Sequence, residues 1–316
     1  MSNKTYKFID LFSGIGAFHQ AFKMSKGDYQ CVFASDIDTY CQKAYQANYG
    51  IMPVGNIKKI DAKDIPNHDI LCAGFPCQPF SISGLQKGFN DNRGDLFFEI
   101  LRIVKEKKPS LILLENVKNL STHNQGETLK VILQSLEQHG YKTSYKILNA
   151  KNFGLAQNRE RIFIIASKKN HLIFENKAYD TVILDDIIDK NIKGLPQSKL
   201  ADLRFNKYKN SNHRIHKPLR IGAIKKAGQG DRIYSQYGIS IALSASSGGT
   251  GAKTGLYYID DEIRRLTLNE CRKVHGFSDD FKIVASEAQA YKQFGNTIPV
   301  NILRYIIELV EKQQIL

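Results

Sequence analysis

Along the first half of the chain, apolar runs of strand length recur between stretches of helical pattern. KFIDLF (7–12), QCVFAS (30–35), DILCAG (69–74), SLILLENV (110–117) and RIFIIAS (161–167) are short and rich in β-branched and aromatic residues. Between them, AFHQAFKM, TYCQKAYQANYG, DLFFEILRIVKEKK and the stretch 127–139 place apolar residues at helical spacing. Strands that are apolar nearly throughout are buried on both faces, and their alternation with helices builds βαβ units around a mostly parallel sheet. In open sheets of that kind ligands bind beyond the carboxyl ends of the strands. The loops after residues 12, 35, 74 and 117, and the one near 157, are therefore where chemistry is expected.

From about residue 186 this rhythm breaks. Residues 222–258 are rich in Gly and Ser, with short alternating pieces (RIYSQYG, ISIALSA, TGLYYID) that read as short strands and exposed loops. An amphipathic character returns from RRLTLNECRKVHGF to a terminal helix at 300–313. The expected architecture is α/β: a doubly wound, mostly parallel sheet formed by residues 1–185 and 285–316, with a second, smaller β-rich domain at 186–284 that includes a hinge.

Charge changes the picture. Lys and Arg number 45 against 31 Asp and Glu, a formal net charge of +14. Residues 186–232 alone hold 12 Lys/Arg against 4 Asp, so +8 of that excess lies in the second domain. Such an asymmetry points to a polyanionic partner. A cationic membrane-surface protein is the competing class, but no stretch looks like an amphipathic anchor and no apolar run approaches the ~18 residues needed to span a bilayer. The start, MSNKTYKFIDLFSG, lacks the apolar core of a secretory signal. The five cysteines are odd in number and form no CxxC pair, which argues against a disulfide framework and against structural zinc. A reduced, cytoplasmic chain with no metal is expected.

The loops carry specific chemistry. In Phe8–Ala17 a Gly14-x-Gly16 turn after the first strand would let the backbone approach a ligand, although His19 occupies the third glycine position of a dinucleotide fingerprint. Asp36 and Asp38 follow the second strand, where a carboxylate suits a ribose diol or a helix N-cap. Cys77, held between prolines in Gly74-Phe-Pro-Cys-Gln-Pro-Phe-Ser81, is presented rigidly past a strand end, as a nucleophile must be. Cys31, Cys41, Cys72 and Cys271 read as packing residues. Glu115 ends the most apolar strand, where a carboxyl gains proton affinity and can act as an acid near neutrality. Arg159 and Arg161 open the next strand, suited to an anionic or carbonyl-bearing substrate or to a surface ion-pair patch. Ser247–Thr254 imitates a phosphate-binding loop, but Ser247 and Ala252 stand where that motif requires glycine.

Taken in order, DLFSGIGA (10–17), GFPCQPFS (74–81), ENV (115–117), QNRERIFII (157–165), RRLTLNECRKVHGF (264–277) and QFGNTIPVN (293–301) resemble the motifs of bacterial cytosine-5 DNA methyltransferases of restriction–modification systems, most nearly their Hha-type (GCGC) branch. The resemblance covers essentially the whole chain. It implies an S-adenosylmethionine-dependent methyltransferase fold with a catalytic, cofactor-binding domain and a target-recognition domain. It implies S-adenosylmethionine as cofactor, S-adenosylhomocysteine as product, and a site made of Asp10, Phe12, Gly14, Gly16, Phe18, Asp36, Ile37, Asn56, Ile57, Pro76, Leu96 and Asn296. Ala17, Asp36, Ile37 and Asn56 depart from commoner family residues, which would tune cofactor affinity without removing catalysis.

The resemblance further implies that Cys77 adds to carbon-6 of a flipped-out cytosine, that Glu115 serves N3, and that Arg161, supported by Arg159, binds the ring carbonyl. Double-stranded DNA would be held by Gln78, Ser81, Ser83, Gln229, Arg232, Lys225, Lys226 and Lys253. Arg232 suits guanine, Gln229 the vacated stack, and the lysines phosphates. The loop Ser244–Thr254 would be the other base-reading element, and departures in and beside it at Ala242, Ser246 and Ser247 point away from GCGC toward another short GC-containing site. A monomer is expected, with a cognate restriction endonuclease acting on the same site. A tRNA cytosine-5 methyltransferase and a catalytically silent DNA-binding relative are the alternatives.

Overall fold

The computed structural model of the protein describes residues 4–76, 96–200, 202–207, 213–224 and 228–316. Its first half runs β1 (Tyr6–Leu11), α1 (Ala17–Lys23), β2 (Tyr29–Ser35), α2 (Thr39–Tyr49), β3 (Ile70–Gly74), α3 (Leu96–Lys107), β4 (Leu111–Val117) and α4 (Glu127–Gln138). Then come β5 (Lys142–Asn149), β6 (Gln157–Asn158) and β7 (Glu160–Ser167). Six of these strands form one sheet in the order β2-β1-β3-β4-β7-β5. The pairings β2–β1, β1–β3 and β3–β4 are parallel; β4–β7 and β7–β5 are antiparallel.

Apolar residues occupy both strand faces because helices cover both. Along β4, Leu111 and Leu113 enter one core while Ile112 and Leu114 enter the other. On β7, Phe163 and Ile165 divide from Ile162, Ile164 and Ala166 in the same way, as a side-chain period of two requires. One face is covered by α3 and α4, through Phe97, Ile100, Leu101, Leu129 and Ile132. The other is covered by α1 and by α7 (Val300–Lys312), which pack together. The chain end thus completes the core on this face of the six-stranded sheet.

Strand β5 has no counterpart in the apolar pattern. It lies at the sheet edge, and Lys142, Thr143, Ser144 and Lys146 make it too polar to stand out. Charged side chains of this kind also discourage pairing of an open edge with another chain.

The remaining strands, β8 (Arg204–Phe205), β9 (Arg220–Ala223), β10 (Arg232–Ser235), β12 (Leu256–Ile259) and β13 (Glu262–Arg264), form a second sheet in the order β13-β12-β10-β9-β8. Leu219, Ile221, Ile224, Ile233, Leu256 and Ile263 form its small core. The two sheets meet at a seam where β6 pairs in parallel with β11 (Ser240–Ile241). Beyond it, α5 (Leu268–His275) and α6 (Glu287–Asn296) pack against each other and return the chain to α7. Among the described residues no helix is long and apolar enough to cross a membrane.

One buried ion pair ties the second sheet to α5. The Arg264 guanidinium donates to both oxygens of Glu270 at 2.7 and 2.8 Å, and Glu270 also accepts the backbone N–H groups of Asp189 (2.8 Å) and Thr267 (2.7 Å). Glu270 is fully buried and Arg264 nearly so. Removing one partner leaves the other charge uncompensated, so Glu270→Ala is expected to cost about 3–5 kcal/mol in urea denaturation, and the apolar pair Arg264→Met/Glu270→Leu to recover most of it.

Candidate functional site

Strand order reverses between β1 and β3, and the crevice beyond their carboxyl ends holds a cavity of about 660 Å³. The turn after β1 shapes its floor. Phe12, Gly14 and Gly16 all have positive φ (54°, 54° and 85°), and a Cβ on Gly16 would lie 2.2 Å from the Tyr49 ring. Gly16 is therefore required twice over, by its backbone conformation and by the aromatic ring behind it. Ser13 N–H donates to the Ser35 carbonyl (3.0 Å) and Gly14 N–H to Asp36 Oδ2 (2.7 Å), which stitches the β1 and β2 loops together.

Asp36 also accepts the Asp38 N–H at 2.8 Å, while Asp38 caps α2 through Tyr40 N–H and pairs with Lys292 at 3.1 Å. Burial raises the Asp36 pKa, opposed by those two backbone donors. Asp10 is pushed well up, chiefly by burial, although the Tyr45 hydroxyl donates to its Oδ2 at 3.3 Å. Asp10 Oδ1 and Ser13 Oγ are buried without a hydrogen-bond partner among the described residues, and both residues line the cavity. Unpaired buried polar atoms in a cavity wall suit a polar ligand that satisfies them.

Of the residues expected at a cofactor, Asp10, Phe12, Gly14, Phe18, Asp36, Ile37, Asn56, Ile57, Pro76, Leu96 and Asn296 all line this cavity, and Gly16 supports its floor from beneath. Ile37 is 74% exposed among the described residues. Asn56 caps a short 3₁₀ turn through Lys58 N–H (3.1 Å). Sequence reasoning passed over Ser13, Lys58, Lys292, Gln293, Thr297 and Ile298, which share the lining. It also left Asn116 without a task. The Asn116 amide donates to the Phe75 carbonyl at 2.9 Å and so fixes the chain just before Pro76; its place in the ENV motif was the available signal.

Glu115 and Arg161 meet at the far end of the same cavity. The antiparallel register pairs Glu115 with Phe163 and Val117 with Arg161, so Arg161 lies diagonally from Glu115 on one sheet face. Arg161 Nε is 3.1 Å from Glu115 Oε1, and its Nη1 donates to the Glu160 carbonyl at 2.8 Å. Burial raises the Glu115 pKa and the arginines oppose it; burial lowers that of Arg161. The result is a buried carboxyl with enhanced proton affinity, held in place by a cation.

Arg159 lines the cavity with Arg161, and the main chain holds its guanidinium. Its side chain is 1% exposed and donates to three main-chain carbonyls: Leu243 (2.8 Å), Gly295 (2.9 Å) and Thr297 (2.8 Å). Burial, with neighbouring Arg161, pushes it down to about 9, which still leaves it cationic. Lys253, expected to face phosphate, donates its ammonium to the Ala288 carbonyl at 3.0 Å at the surface. Arg232 opens β10 half-buried. Cys77, Gln78, Ser81, Ser83, Lys225 and Lys226 lie outside the described residues, as does the side chain of Gln229. The remaining cysteines, Cys31, Cys41, Cys72 and Cys271, are all buried.

Residues 6–312 match the C-5 cytosine-specific DNA methylase family. The type II methyltransferase M.HhaI of Haemophilus parahaemolyticus is 44% identical over 306 residues, covering 95% of this chain and 92% of that protein. The type II methyltransferase M.SsoII of Shigella sonnei is 40% identical, covering 98% and 80% respectively. Among solved structures, S. pombe Dnmt2 methyltransferase superposes with a TM-score of 0.74 at 20% identity, covering 98% of this chain and 99% of that one. The Entamoeba histolytica methyltransferase EhMeth gives 0.72 at 20% identity with the same coverage. At such identities these two structures speak for the fold alone. Because the family match runs from β1 to the end of α7, seam included, the chain as a whole belongs to the family of C-5 cytosine-specific DNA methylases.

Proposed function

We propose that this DNA cytosine-5 methyltransferase uses S-adenosylmethionine to methylate carbon-5 of a flipped-out cytosine within a short GC-containing site of double-stranded DNA. Its service is the protection of host DNA in a restriction–modification system, as the type II names of its relatives suggest. The observation that carries this reading is the buried Glu115–Arg161 pair at one end of a cavity whose other end is the glycine turn and Asp36. The division into residues 1–185 with 285–316 and residues 186–284 is part of the same reading.

The donor set suits the cofactor. Asp36 would hold the ribose diol, Asn56 and Ile57 would flank the adenine, and the unpaired polar atoms of Asp10 and Ser13 would face the amino-acid end. When bound, S-adenosylmethionine supplies a methyl group activated by a sulfonium. Carbon-5 of cytosine is too weak a nucleophile to take it unaided, so the Cys77 thiolate adds to carbon-6 and splits one hard step into two easier ones. Glu115 holds a proton at N3 and relieves the negative charge that develops on the ring. Arg161 keeps Glu115 oriented and donates to the O2 carbonyl oxygen. Once carbon-5 carries the methyl group, its proton passes to water, the C–H electron pair restores the 5,6 double bond, and the Cys77 thiolate leaves carbon-6. The target atom is out of reach in a stacked duplex, so the base is turned out at a cost of roughly a few kcal/mol. Arg232 and Gln229 would act in the groove, and Gln78, Ser81 and Ser83 at the flipped nucleotide.

Four measurements test this. Expression in a methylation-free host followed by bisulfite sequencing is expected to show methylcytosine at one short site; labelled methyl transfer to tRNA and none to duplex DNA would overturn the choice of substrate. Cys77→Ala is expected to bind duplex DNA but neither methylate it nor form the covalent adduct that wild type makes with 5-fluorocytosine DNA. Glu115→Gln keeps the shape and loses the exchangeable proton, so kcat is expected to fall about 10²–10⁴-fold with KM for DNA little changed. Asp36→Ala removes a charged hydrogen-bond acceptor and should raise the KM for S-adenosylmethionine by roughly 10–100-fold, measured at saturating DNA.

A further inference from the structure

The seam between the two sheets converges on a single buried cation. Arg159 reaches Leu243, the residue before the loop 244–254, and also Gly295 and Thr297, which flank Asn296 in the cavity wall. Two residues along from Arg159, Arg161 pairs with Glu115. Main-chain contacts run beside the guanidinium. Gln157 and Asn158 pair with Ser240 and Ile241, and Ser240 N–H donates to the Ala156 carbonyl at 2.8 Å. A Cβ on Gly295 would lie 2.3 Å from Ala245 N, so the end of α6 and the start of the 244–254 loop touch backbone to backbone.

This geometry has a mechanical consequence. Three carbonyls on two segments far apart in sequence share one rigid, planar donor, and interior packing leaves no slack to take up a shift. Neither the loop nor the Gly295–Thr297 segment can move alone without leaving a buried donor or carbonyl unpaired, which is costly. We propose that Arg159 is a positioning residue that couples the cofactor-side segment around Asn296 to the DNA-facing loop 244–254, so that occupancy of either site raises affinity at the other. The inference rests on the function proposed above, and reciprocity of the two effects follows from thermodynamic linkage.

The test reads DNA affinity, on the whole protein, with and without saturating S-adenosylhomocysteine. The probe is a short duplex carrying the site found by bisulfite mapping. In wild type, S-adenosylhomocysteine is expected to tighten DNA binding by at least about fivefold, within the range usual for coupled sites. Arg159→Lys keeps the charge but cannot span three carbonyls, and its ratio should fall to within about twofold of one. Gly295→Ala keeps Arg159 and wedges the seam from the other side, so it should lose the ratio in the same way and keeps the test open if the lysine variant fails to fold. A merely structural arginine would lower the melting temperature and leave the ratio intact. A wild-type ratio near one, or a ratio in the folded variants that stays above about half the wild-type value, overturns the coupling. Wild type that binds neither duplex nor S-adenosylhomocysteine overturns the functional reading as well; binding of both without coupling overturns only this inference.

Discussion

The site depends on the antiparallel pairing of β7 against β4. Every other pairing from β2 to β4 is parallel, and a parallel β7 would begin at the opposite edge of the sheet from the crevice. Because β7 runs backwards, its first residues arrive at the carboxyl end of β4, where Glu115 lies. One reversal of direction therefore brings Arg159 and Arg161 to the ligand end of the sheet. It also places β6, just before β7, where it can reach β11 and join the second sheet.

Burial then differentiates charges that look alike in sequence. Arg159 and Arg161 are two residues apart, yet one is enclosed by main-chain carbonyls and the other faces a carboxylate beside a cavity. Desolvation acts on both, and their partners differ. The same holds for Asp36 and Asp38. The first stitches two loops beside the cavity, whereas the second caps a helix and meets Lys292. Of the two, only Asp38 takes up the N-cap role.

Much of the fold was legible because a strand covered on both faces must be apolar nearly throughout, and five such runs correspond to β1, β2, β3, β4 and β7. Edge strand β5 escaped because one side of it faces solvent and lysines, so its composition carries no signal. The cavity lining was legible where a motif marks it, at the Gly14–Gly16 turn and at Glu115. It was illegible at Lys292, which no motif marks and which reaches the cavity only because α6 returns to the six-stranded sheet after the whole second sheet has been built. The Ala288 carbonyl that receives the Lys253 ammonium is thirty-five residues away and is likewise brought there only by the fold.

By itself, then, the sequence determined the layered α/β core, the loops that face the ligand and the chemical types placed there. Those follow from local periodicity and from residues that must occupy strand ends. Only the tertiary structure decided which arginine faces the carboxyl and which locks the seam. Only the tertiary structure set the Tyr49 ring against Gly16 and joined the residues flanking Asn296 to the loop 244–254 through Arg159 and Ala245. These are contacts between segments distant along the chain. The desolvation and hydrogen bonds that define them exist only once both sheets have closed on the seam.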